Sequence, residues 1–240
     1  MQEFVNSPSL RNGVFDLLSS VKLANDANVK LLDYTVELFK NNGLFSDYYG
    51  YHNVDHELEV TYVTLLSGIY SLKDDYLNLE DLNYLYAAAL LHDFDPKKEI
   101  DKPHEKNVIQ FISKNKTIQK LLAAATLDQN LICALICRTV YPWKGDIITT
   151  TEKLIDSYFA KSKIKNNKKQ QQHFRELGHF LSVADRIGGY SLGDFQKAME
   201  MAKMNAHSSS WHPAFIVRRS VGFFEDMLNS EPEMCQIVLD

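Results

Sequence analysis

The sequence predicts an all-α fold, a single compact bundle of many helices. Apolar residues recur at three- and four-residue spacing through most of the 240 residues, the period of one buried helix face. Alternation of apolar and polar residues, the period of a strand, is scarce. The periodic stretches also begin at capping residues and stop at glycine or proline, as helices do.

From the N-terminus, residues 27–42 form the first expected helix, with Leu31, Leu32, Tyr34, Val36, Leu38 and Phe39 apolar and Gly43 as its stop. Residues 53–71 follow, opened by Asn53, whose side chain can accept from the orphan amides of a first turn. Residues 80–93 come next. Glu80 and Asp81 in that first turn suit the positive end of the helix dipole, and Pro96 closes the segment. Three shorter helices are expected over 103–114, 117–126 and 128–139, the last ended by Pro142. Helices over 150–160 and 171–188 follow, with Gly188-Gly189 ending the second, and 193–206 and 213–229 complete the set. Between them, Lys161 to Gln172 holds five lysines in a polar run. It reads as a solvated loop or helix start, with a patch that draws anionic ligands as the alternative. No internal repeat and no linker divides the chain, so residues 1–240 are read as one domain.

Composition is that of a globular protein able to bury a sizeable core, with 45% hydrophobic and 24% charged residues. A net charge of -5 leaves no basic surface for phosphate contacts, so stable nucleic-acid binding is not expected, whereas a small nucleotide is compatible. Cys133, Cys137 and Cys235 make no disulfide framework, and the first two, four apart in an apolar run, read as small core residues. Met1-Gln2-Glu3-Phe4 lacks the basic start of a signal peptide, and no stretch approaches the roughly 20 apolar residues of a membrane span. A cytoplasmic protein without membrane contact is the expectation, with a homodimer left open.

Chemistry concentrates in a scattered set: His52 and His56, then His92-Asp93, then Asp185. Each sits in or at the end of an apolar helical pattern. Burying an ionisable group without a partner costs several kcal/mol or shifts its pKa. A metal ion is one partner that would satisfy all of them at once. His52 and His56 are four apart and continue into Val60 and Val63, a core-facing stripe. His92 and Asp93 follow Leu82, Leu85, Tyr86 and Ala89, and an Asp at a helix C-terminus opposes the dipole, a local conflict that points to function. Asp185 continues Leu177 and Leu181, with pairing to Arg186 or Arg175 as the alternative. His104, between Pro103 and Glu105, reads as an exposed first-turn residue or a ligand to a second ion. Lys97, Lys98, Arg138 and Arg186 are candidate phosphate clamps or solvated charges.

These residues resemble the HD superfamily of metal-dependent phosphohydrolases, an all-helical family whose signature is a His, a His-Asp pair ending a helix and a distant Asp. The matching positions are His56, His92, Asp93 and Asp185. Tyr51-His52-Asn53, with His56, is similar to the opening motif of class I cyclic-nucleotide phosphodiesterases. Leu90 to Asp95 is similar to their second motif and Ala184-Asp185 to their last. The likeness covers about residues 50–190, with 191–240 as C-terminal helices on that core. Pro96 stands where the phosphodiesterases carry His-Pro, and the chain is shorter than their catalytic domain, so a smaller, general phosphohydrolase is implied.

The resemblance implies a site. His56, His92, Asp93 and Asp185 would bind one divalent ion (Mn, Fe, Co, Ni, Zn or Mg), and Asp93 and His104 a second. His52 would protonate the leaving oxygen, with Asp93 the other catalytic residue. Asp95 would orient a ligand histidine, and Arg138 and Arg186 would bind substrate. The expected function is hydrolysis of a phosphoester of a nucleotide or related small molecule by metal-activated water. The alternatives are a di-iron oxygenase on the same fold, an inactive nucleotide-binding HD module, and a plain helical interaction protein.

Overall fold

A computed structural model of the chain describes residues 7–42, 52–97, 103–191, 203, 212 and 215–239. Among them are eleven helices and no strand. They are α1 (Ser7–Ser20), α2 (Asp26–Asn41), α3 (Val54–Ser71), α4 (Leu79–Ala89), α5 (Glu105–Lys114), α6 (Lys116–Ala124), α7 (Gln129–Cys137), α8 (Asp146–Phe159), α9 (Lys168–Ser191), α10 (Ile216–Ser230) and α11 (Pro232–Leu239). The expected helix over 193–206, Tyr51 and Lys98 lie outside the described residues.

Asparagine and aspartate side-chain caps account for five of these eleven starts. Asn25, Asn53, Asn78, Asn115 and Asp128 each accept first-turn amides with the side chain, and Asn78 forms a reciprocal capping box with Asp81. Two helices were not anticipated. α1 buries Leu10, Val14 and Leu18 at four-residue spacing against α3. α11 opens on Pro232, a residue favoured at the first helical position, and buries Met234, Cys235 and Val238.

The core is one continuous cluster of buried apolar side chains. α3, α4 and α7 are buried nearly all round, and the long α9 packs on all three. α1 and α11 cover α3, α8 covers α7, and α2, α5 and α6 close the remaining side. Cys133, Cys137 and Cys235 are buried thiols, as the spacing of the first two suggested. No single described helix is long and apolar enough to cross a membrane. α6 and α7 together are as apolar, but they bend by 107° and α7 is buried among the other helices.

Gly188 is not a helix stop. α9 runs through it to Ser191, and the missing side chain brings α9 against α3. A Cβ there would lie 3.2 Å from Val60 Cα. Val60 is one turn beyond His56 and Gly188 nearly one turn beyond Asp185, so this close approach sets the spacing of those two residues.

Candidate metal site

Three elements bring the site together. At the start of α3 the Asn53 side chain accepts from the amides of Asp55 (2.9 Å) and His56 (3.2 Å), which fixes His56 in the first turn. α4 ends at Ala89, earlier than the expected 93, so His92 and Asp93 lie in the turn beyond it. The Ala89 carbonyl is left without its helical partner, and His92 Nδ1–H donates to it at 2.7 Å. Phe94 anchors the chain just beyond, buried edge-on against Phe39 and tilted against Phe111. α9 supplies Asp185 from the stripe of Leu177 and Leu181, both buried.

The four side chains converge. His56 Nε2 lies 3.4 Å from Asp93 Oδ2 and 3.3 Å from Asp185 Oδ1. His92 Nε2 lies 3.5 Å and 3.4 Å from the same two oxygens. Donor atoms of His56, His92 and Asp93 all fall within 4.8 Å of one another, a group that could hold a metal ion. The imidazoles sit at the bottom, fully buried, and the carboxylates at the mouth, with 17% and 19% of their side chains exposed.

The geometry fits an ion better than it fits hydrogen bonds. Contacts of 3.3–3.5 Å exceed the usual 2.7–3.2 Å of an N–H···O bond. Tetrahedral ligands about 2.1 Å from a metal are spaced by about 3.4 Å. The bond to Ala89 places the proton of a neutral His92 on Nδ1 and its lone pair on Nε2, facing two carboxylates. His92 Nε2 is buried and has no hydrogen-bond partner among the described residues. Lone pairs and anions facing one point could be satisfied together by a metal ion.

Without a metal, protons fill that role. Burial disfavours charge on His56, yet Asp185 and Asp93 outweigh it and raise its pKa to about 9. His92 is raised well above its usual value, against burial, by Asp93, Glu57 and Asp185. Burial would raise the carboxyls in turn, but the imidazoles hold Asp93 and Asp185 below the ordinary range.

His52 stands beside His56, partly buried, its ring edge-on to that of His56 with centroids 5.6 Å apart. Burial lowers its pKa, with Asp93 pulling the other way, so the free protein holds it neutral at pH 7.

The remaining expected residues stand elsewhere. His104 is exposed and outside the group; its Nδ1 accepts from the Lys106 amide at 3.3 Å as the cap of α5. Asp95 is fully buried but fastens the loop after the site. Its carboxylate accepts from the Lys97 and His104 amides (2.9 and 3.0 Å) and from Asn107 (3.1 Å). The group beside His92 Nδ1 is instead Glu57, at 3.4 Å. Arg138 and Arg186 turn toward Glu231, at the junction of α10 and α11. Lys97 is exposed.

Glu57 is the site residue missed in the sequence. It is 1% exposed; its Oε2 has no hydrogen-bond partner and its Oε1 lies 3.4 Å from the Asp93 amide. Burial raises its pKa, opposed by His92. A signal was present. α3 has no continuous polar face, so an acid directly after His56 had to be buried with it.

No protein-family model matches the chain, and neither a curated protein nor a solved structure does.

Proposed function

We propose that this chain is an HD-superfamily phosphohydrolase that uses one divalent ion to hydrolyse a phosphoester of a small molecule, a nucleotide or a relative of one. One observation carries the reading: two buried imidazole nitrogens and two carboxylate oxygens from α3, the turn after α4, and α9 are spaced 3.3–3.5 Å around a common point. The order of these residues along the chain, His56, His92-Asp93, Asp185, supports the family assignment.

His56, His92, Asp93 and Asp185 would hold the ion. The ion, when bound, supplies Lewis acidity to a phosphoryl oxygen and lowers the pKa of a water toward about 7. Partial exposure of Asp93 and Asp185 leaves the approach from solvent open to substrate. As the water oxygen bonds to phosphorus, the ester P–O bond on the opposite side breaks, and the departing oxygen needs a proton. His52, whose ring lies against that of His56, would give it. Neutral in the free protein, it would take up the proton that the attacking water releases, its charge favoured by the bound anionic phosphate, and pass it to the departing oxygen. The Nδ1–H bond to the Ala89 carbonyl would keep His92 turned with Nε2 toward the ion position, with the buried Glu57 carboxylate beside it.

The test is a panel of phosphomonoesters, phosphodiesters and nucleotides, assayed with Mn, Co, Ni, Zn and Mg. Wild type should turn over at least one class. His52→Ala should keep its metal and lose about 10²–10⁴-fold in turnover. Hydrolysis that survives in Asp93→Ala would remove the proposal.

A further inference from the structure

A second cluster of charge lies away from the His/Asp group, at the end of α7. There a cavity of about 470 Å³ opens between α7, α8, α9 and the Ser230–Glu231 corner. That volume suits a small-molecule ligand. Arg138, Trp143, Arg175, His179 and Glu231 are among its lining residues, and none of His56, His92, Asp93 and Asp185 is.

Arg138 is the telling residue. Its side chain is 9% exposed, and its guanidinium lies over the Trp143 ring at 3.8 Å. Of five N–H donors, one is used among the described residues, from Nη1 to Ser182 Oγ at 3.2 Å. Its nearest carboxylate, Glu231, is 4.0 Å away, too far for a hydrogen bond. That carboxylate is already taken. Arg186 holds it by two hydrogen bonds of 2.6 and 2.9 Å, and His179 binds the second oxygen.

The other acids are accounted for as well. Glu152 pairs with Arg175 at 2.6 Å, as does Asp156, and Glu176 is exposed beside Gln172. Arg138 is therefore a buried cation with no carboxylate within hydrogen-bond reach; burial disfavours its charge, Glu231 favours it from 4.0 Å, and Arg186 adds to the cost. The fold makes room for it. Gly178 on α9 faces the Arg138 stem, and a Cβ there would lie 3.0 Å from Arg138 Cβ and 3.2 Å from its Cγ. A glycine inside a helix is destabilising relative to alanine, so seating this arginine carries a cost.

We propose that this cavity is a binding site for the oxyanion of a small molecule, a phosphate or a carboxylate, held by the unused guanidinium fork of Arg138 above Trp143. The site is separate from the metal group and stands whether or not that group binds an ion.

The test is titration of the wild-type protein with sodium phosphate and with sodium acetate, against sodium chloride at equal ionic strength. The reporter is the Trp143 indole N–H resonance, assigned with Trp143→Phe. Saturable shifts from phosphate, acetate or both are expected, and which of them saturates names the source. Affinity should fall roughly 10–100-fold in Arg138→Gln, the size of lost charge-assisted hydrogen bonds. It should be retained in Asp93→Ala, and should rise in Glu231→Gln, where a competing anion is gone. A wild-type response no different from chloride overturns the proposal without any variant. Undiminished affinity in folded Arg138→Gln overturns it too, and affinity lost in Asp93→Ala would assign the anion to the metal group instead.

Discussion

Gly188→Ala probes the contact that sets the site. The added Cβ would lie 3.2 Å from Val60 Cα, 3.3 Å from Val60 Cγ2 and 3.5 Å from Val60 N. Ordinary carbon contacts are about 3.5–4.0 Å, and two of these three atoms are backbone, which cannot rotate away. α3 and α9 must therefore part by roughly 0.4 Å. Overpacking of this kind costs about 1–3 kcal/mol, while replacing a helical glycine by alanine returns about 0.5–1 kcal/mol. The expected net is a destabilisation on the order of 1–2 kcal/mol. Because His56 is on α3 and Asp185 on α9, their 3.3 Å spacing widens with the helices. Metal sites tolerate about 0.2 Å, so affinity for a divalent ion should also drop, by roughly 10–100-fold. Urea denaturation of the metal-free protein and calorimetric titration of the metal read the two effects. Gly222→Ala on α10 is the control, because a Cβ there meets nothing within 4 Å and should only stabilise. If Gly188→Ala stabilises as much as Gly222→Ala, the reasoning about the helix contact is refuted.

Two further outcomes follow from the site. Glu57→Leu should weaken metal binding about 10–100-fold by releasing His92 and Asp93, and Glu57→Gln, which keeps an acceptor for the Asp93 amide, should weaken it less; equal titration curves for both variants and wild type would remove the orienting role. In the metal-free protein, His56 has a folded pKa of about 9 against 6.5 unfolded, so its contribution to stability is complete below pH 6.5 and fades as pH rises through 9. Urea midpoints should fall across that window and hold steady when metal replaces the protons. A metal-free midpoint that does not change between pH 6.5 and 9 would count against the buried imidazolium.

How much of this was legible in the sequence depended on the range of the interaction. Local signals carried far. The 3.6-residue period gave the all-α class, and the Asn53 cap set the start of α3. His56, His92, Asp93 and Asp185 were marked by the cost of placing polar groups in apolar stripes, and the structure brings those four together. What depends on a neighbour distant in sequence was not visible. Gly188 carries the signature of a helix stop, and only Val60 opposite it shows that it is a contact. Asp95 lies two residues after a ligand candidate, yet its partners belong to α5 and the loop leading to it. Arg138 and Arg186 read as substrate clamps until Glu231, 45 residues beyond Arg186, is seen between them.

The metal content of wild type and Asp93→Ala, purified side by side and again after soaking in Mn, Co or Zn, tests whether the buried group is a metal site. About one transition-metal ion per wild-type chain is expected, lost in the variant while its helical content is unchanged. No metal in the wild type after soaking, or equal metal in both proteins, would contradict it.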